Sequence, residues 1–228
     1  MSAHNGEYRI IAGESEKKQS ASVFEVPENV KRYELWFERN SAVFESEVAA
    51  IRELLPFGNG FEIGIGTGLF AEKLGILMGN DPSEEMLKIA RKRGRLVYRC
   101  NGDDLPFYDG YFDYTLMVTT LCFLDDPAAV LREGRRVTKR NGAIVVAFVD
   151  SESTTGKSYR DRASRSVFYR DAMFFSADQV RQTLVRTGFT PDDIRQTLFG
   201  PLASITEAQP PRKGFGEGSF VVIRAIRT

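Results

Sequence analysis

Residues 143–149, Ala-Ile-Val-Val-Ala-Phe-Val, are apolar without a break. A strand with one wet face is apolar only at every second residue; an unbroken run needs protein on both faces. These residues therefore belong in the middle of a parallel sheet with helices above and below it. The rest of the chain supplies the other parts in alternation. Phe61–Ile63, Ile76–Met78, Arg95–Cys100 and Phe112–Val118 read as short strands, and Asp193–Leu198 and Ser219–Ile226 as two late ones. Between them lie helices with readable ends. Leu69–Leu74 starts one. Ser83 caps a second, whose inner face is Met86, Leu87 and Ala90 and which Gly94 stops. Asp126-Pro127 opens a third, with Val130, Leu131, Gly134 and Val137 inward. Ser176 and Gln179 form a capping box for a fourth, ending at Gly188. This order predicts an α/β fold: a doubly wound, mostly parallel, seven-stranded sheet with helices on both faces.

The flanking segments differ in character. Residues 1–25 are polar and aperiodic, which predicts a flexible tail. Residues 26–56 carry Tyr33, Leu35, Trp36 and Phe37, then Val43, Phe44, Val48, Ile51, Leu54 and Leu55, at helical spacing, and form a helical cap ending at Pro56. Residues 57–228 are the main domain, interrupted by a polar, irregular insert at about 151–175. Asn141-Gly142 reads as a turn into the apolar strand, and Gln209–Gly218 as a loop.

Charge and ligand inventory narrow the chemistry. Lys plus Arg and Asp plus Glu both number 31, so there is no global attraction to nucleic acid or to an anionic membrane. Two cysteines, Cys100 and Cys122, and one histidine, His4, are too few for a zinc site, and no metal is expected. Both cysteines read as small buried apolar residues in a reducing compartment. No run reaches membrane-span length and no signal-peptide core is present, so the expected location is cytoplasmic.

The informative turn is Glu62-Ile-Gly64-Ile-Gly66-Thr67-Gly68, leaving a strand and entering a helix. Glycines let the backbone turn tightly and approach a ligand, and the helix start offers free N–H groups. A dinucleotide fingerprint beginning at Gly64 would need its third glycine where Leu69 stands. Further stations follow in order: Asp81 at the end of the second strand, where a carboxylate can accept both hydroxyls of a ribose; Cys100-Asn101-Gly102-Asp103-Asp104-Leu105-Pro106-Phe107; Tyr111-Phe112-Asp113; and Leu121-Cys122-Phe123-Leu124-Asp125-Asp126-Pro127.

In this set of stations the chain resembles the class I, Rossmann-like S-adenosylmethionine (SAM)-dependent methyltransferases, within the type-11 methyltransferase group that includes quinone-biosynthesis enzymes. The stretch VTTLCFLDDP, with SVFY and FFS downstream, resembles an uncharacterised prokaryotic subgroup. The resemblance implies SAM as cofactor, S-adenosylhomocysteine as its product, and roles by position. Glu62, Gly64, Gly66, Thr67 and Gly68 would shape the methionine side of the pocket. Asp81 would bind the ribose, with Pro82 and Met86 near the adenine. Asn101 and Gly102 stand where the family has Asp-Ala, so that Asn101 would meet the adenine amino group through its amide oxygen. Leu105 would cover the adenine face, and Thr119 and Thr120 would lie by the methionine end.

Methyl transfer needs alignment, water exclusion and charge stabilisation more than a dedicated base. Many relatives carry a histidine near the positions of Cys122 and Phe123; here no histidine base is expected, and Tyr33 and Trp36 are the catalytic candidates. A small-molecule acceptor would be held by Tyr33, Trp36, Phe123 and Tyr169. Lys157, Arg160, Arg162, Arg165 and Arg170 read as a solvated face, or as a run in which one or two arginines, with Arg165 and Arg170 as the candidates, grip an anionic acceptor. Two other classes stay open at this level. One is a SAM-binding module that turns nothing over. The other is an NAD(P)-dependent oxidoreductase, against which Leu69 and the lack of a Tyr-x-x-x-Lys pair both count.

Overall fold

The computed structural model describes residues 21–228. The chain enters through a 3-10 turn, Ala21–Glu25, and two helices, α1 (Pro27–Arg39) and α2 (Ser41–Leu54), which meet at Asn40. It then alternates: β1 (Gly60–Ile63), α3 (Leu69–Leu74), β2 (Met78–Asn80), α4 (Glu84–Lys92), β3 (Leu96–Tyr98), β4 (Phe112–Val118), α5 (Pro127–Val137) and β5 (Thr138–Val149). Two helices follow, α6 (Thr154–Arg162) and α7 (Ala177–Arg186), and then β6 (Phe189–Thr197), β7 (Arg212–Lys213) and β8 (Phe220–Arg227).

The strands form one sheet in the order β3-β2-β1-β4-β5-β8-β6-β7. Neighbours from β3 to β5 are parallel; β8 runs antiparallel to both β5 and β6. The apolar run sits where its composition requires, between β4 and β8, with all but the last of its seven residues buried. Its side chains alternate between two cores. Ala143, Val145 and Ala147 face a core built with α2 and α3, while Ile144, Val146 and Phe148 face one built with α5 and α7.

Several boundaries correct the sequence reading. The sheet has eight strands rather than seven, because Arg212–Lys213 in the expected loop pairs with Gln196 and Arg195. Asn141 does not end a turn before β5. It lies inside the strand at φ 61°, where β5 bulges and pairs Thr138 with Phe112 but Ala143 with Tyr114. The second strand begins at Met78, two residues after Ile76. The insert is not irregular: it holds α6, capped by Ser153, and a 3-10 turn at Ala163–Arg165. Residues 1–20 of the expected tail, His4 among them, lie outside the described residues. Residues 21–25 form the helical turn that precedes α1. The helix signals hold in detail. Ser83 Oγ accepts from the Met86 amide, Asp126 from the Ala129 amide, and the Ser176–Gln179 box is reciprocal. Among the described residues no helix is long and apolar enough to cross a membrane.

Candidate active site

The strand order reverses at β1 and β4, and in such sheets the crevice beyond the carboxyl ends of the strands is where ligands bind. Three glycines after β1 take positive φ: Gly64 at 77°, Gly66 at 54° and Gly68 at 79°. They serve different ends. A Cβ at Gly64 would lie 2.4 Å from Thr120 Oγ1, so Gly64 lets β1 and β4 close together. A Cβ at Gly66 would meet nothing within 4 Å, so Gly66 leaves open space above the turn.

Two carboxylates border that space. Asp81 accepts from the Gly66 amide at 3.1 Å and from the Ser83 amide at 2.9 Å. Burial pushes it up to about 6 against those two donors. Glu62 is 2% exposed and its Oε2 has no partner. Burial and the Asp81 charge hold it well above the usual carboxylate range, against the pull of the Ala71 amide. Among the described residues no lysine or arginine is among the groups acting on either acid. A ligand with positive charge and hydrogen-bond donors would relieve both. The buried Thr67 hydroxyl is likewise unpartnered.

The adenine-side candidates are placed less uniformly. Pro82 caps the turn after Asp81, with its carbonyl bound by Arg99. Met86 and Leu105 are buried. Gly102 packs under the loop, where a Cβ would lie 2.9 Å from Ile63. Asn101 is exposed, and its side chain makes no hydrogen bond among the described residues.

At the end of β4, Thr120 Oγ1 donates to the Val118 carbonyl at 3.0 Å. Thr119 sits at φ 48°, a costly conformation for a β-branched residue that the Thr119 amide bond to the Ala147 carbonyl helps to hold. The Cys122 thiol donates to the Thr119 carbonyl at 3.3 Å, and burial pushes it up to about 12, so it stays protonated.

Thr119 and Tyr33 link the glycine turn to a cavity of about 690 Å³. Both line its wall, and burial together with the Glu62 charge pushes the Tyr33 hydroxyl strongly up. Of the acceptor-side candidates, the cavity brings together Tyr33, Trp36, Phe123, Arg165 and Tyr169. Arg170 is exposed and does not line it. Sequence reasoning missed Phe24, Arg32, Arg39, Glu47, Tyr159 and Phe168, all of which face this space, as does Arg162 of the insert arginines. Phe24 comes from the segment read as tail. Its ring contacts Tyr33, Phe123 and Phe168, with centroids 6.1, 5.3 and 5.6 Å away. Arg32 lies over the Phe168 ring.

Comparison with known proteins identifies the fold and family. A family described as a methyltransferase domain matches residues 61–146. A crystal structure from Thermotoga maritima, described as a SAM-dependent methyltransferase and possible histamine N-methyltransferase, is 42% identical with a TM-score of 0.89. The alignment covers 92% of this chain and all of that one. An uncharacterised protein of Methanocaldococcus jannaschii is 40% identical over 86% of this chain and 95% of its own length. A demethylmenaquinone methyltransferase of Thermotoga maritima is 36% identical over 54% of this chain and 57% of its own.

Proposed function

This chain belongs to the SAM-dependent methyltransferases, and we propose that it methylates a small molecule held in the cavity between α1, α6 and the end of β4. Its cofactor is SAM, which supplies an electrophilic methyl group on a sulfonium. The carrying observation is the buried Glu62 and the half-buried Asp81, which accepts from the Gly66 amide beside the open space at Gly66. In this reading Glu62 and the glycine turn hold the methionine end, and Asp81 the ribose. Pro82, Met86, Asn101, Gly102 and Leu105 form the adenine side, and Thr119 and Thr120 the wall nearest the methionine end.

The cavity supports a small acceptor. Its aromatic walls exclude water and orient a flat or elongated molecule. Arg39, Arg162 and Arg165 face it without an ion-pair partner among the described residues, which favours an acceptor with an anionic group at the rim. The acceptors named for the similar proteins, a possible histamine N-methyltransferase and a demethylmenaquinone methyltransferase, are both small molecules.

Calorimetric titration of the full chain with SAM, S-adenosylhomocysteine and NADH in parallel tests the cofactor site. Saturable binding of the two adenosyl compounds, none of NADH, and loss of SAM affinity in Asp81→Ala with the fold intact are expected. Unchanged SAM affinity in Asp81→Ala would remove Asp81 from the site.

A further inference from the structure

One buried acid has no place in the account so far. Glu47, on α2, is 5% exposed and lines the cavity. Its helix neighbours explain the burial. Val43, Phe44 and Ile51 share its face and belong to the core that α2 builds. A glutamate there loses most of its contact with water, keeping only what the cavity allows, and among the described residues it makes no hydrogen bond and no ion pair. Such a group costs stability, and the structure around it does nothing to offset that cost.

From the cavity, Glu47 is surrounded by rings. Tyr33 of α1, Tyr159 of α6 and Tyr169 all feel its charge. Tyr33 also feels the charges of Glu62 and Asp81. The charged groups of the rim, Arg32 and Arg39 from α1, Arg162 at the end of α6 and Arg165 in the turn after it, do not pair with it. Aromatic faces and a lone carboxylate both favour a cation.

We propose that Glu47 holds the nitrogen of an amine acceptor, so that the atom methylated is an amine nitrogen and the acceptor is a small molecule with an amine at its inner end. This rests on the methyltransferase reading and adds the acceptor class and a catalytic residue to it. Burial alone pushes the Glu47 carboxyl up to about 8, near the range of an ammonium group. Above that pH the Glu47 carboxylate can take the proton of an incoming ammonium and expose its lone pair. The nitrogen then bonds to the methyl carbon as the carbon–sulfur bond breaks and sulfur keeps the bonding pair. Positive charge moves from sulfur to nitrogen, and Glu47 releases its proton to water, leaving a carboxylate opposite the methylated ammonium. With the arginines at the rim, the acceptor that fits both ends is a zwitterion.

Benzylamine serves as the probe for the inner end, with benzyl alcohol as its uncharged counterpart. Calorimetry of the wild-type chain and Glu47→Gln, each saturated with S-adenosylhomocysteine, is the test. The wild type should bind benzylamine, and the variant about tenfold or more weakly, the usual range for a charge-assisted hydrogen bond. Benzyl alcohol should bind both alike, showing the cavity intact, and SAM affinity should be unchanged. Absence of benzylamine binding, equal binding to both proteins, or a parallel loss of SAM affinity would overturn the assignment. If SAM itself fails to bind the wild type, the methyltransferase reading falls first; if SAM binds and benzylamine does not, only this inference falls.

Discussion

The Ser83 hydroxyl donates to the Phe24 carbonyl at 2.7 Å while accepting from the Met86 amide at 3.2 Å. One side chain thus caps α4, two residues after Asp81, and fastens the turn that roofs the cavity. Ser83→Ala should cost about 1 kcal/mol as a lost cap and also free residues 21–25. A lowered melting temperature together with faster proteolysis near Phe24 is the expected result; a lowered melting temperature alone would show that the roof is held by its rings.

Gly64 and Gly66 separate packing from binding. Gly64→Ala drives a methyl into Thr120 and should destabilise by about 2 kcal/mol or more. Gly66→Ala meets no protein atom, so its stability cost should be confined to about 1 kcal/mol of left-handed strain. Its methyl nevertheless enters the space assigned to the cofactor, so SAM affinity should fall about tenfold or more. Thermal melts and SAM titrations of both variants distinguish the two.

Arg93 joins three elements. It contacts Glu34 of α1 at 2.5 Å, Glu72 of α3 at 3.2 Å and the Thr67 carbonyl of the glycine turn at 2.9 Å. Arg93 and Glu34 are each less than one-fifth exposed, so solvent screens this pair only partly. Arg93→Ala should destabilise by about 2 kcal/mol, measured by denaturant unfolding. Arg93→Lys, which cannot make the fork, should recover only part.

The buried acids set a pH dependence. Asp81 and Glu47 are both raised when folded, to about 6 and about 8. The folded chain therefore holds protons that the unfolded chain has released, and ligand-free stability should fall as pH rises from about 4 through 8. Below both ordinary carboxylate values this contribution is complete; above pH 8 it is gone. Glu47→Gln should flatten the fall between pH 6 and 8 and make the variant more stable than wild type at pH 9. Melting curves across this range check the sign, and a variant less stable at pH 9 would refute it.

Helix caps and the apolar strand were legible because their signals are local. Ser83, Asp126 and the Ser176–Gln179 pair each satisfy amides within three residues. The glycine turn and Asp81 were legible because their order along the chain follows the strand order. What escaped depends on distant partners. Helix α6 buries only Thr155 and Gly156, so it leaves no apolar stripe. Two-residue β7 exists only through β6. Phe24 is one ring in a polar segment until α1 and residue 168 fold against it. Glu47 did leave a trace: a charged residue between Phe44 and Val48, on a face that otherwise reads as core.

The placement of β8 has a temporal consequence. It separates β5 from β6 in the sheet, yet it is made after both. On a growing chain β6 emerges with no adjacent strand except the two residues of β7, and the exposed edge of β5 stays open until residues 220–227 arrive. The last strand must therefore be inserted between two earlier ones rather than added at an edge, and until it is, two bare edges are open to wrong pairing.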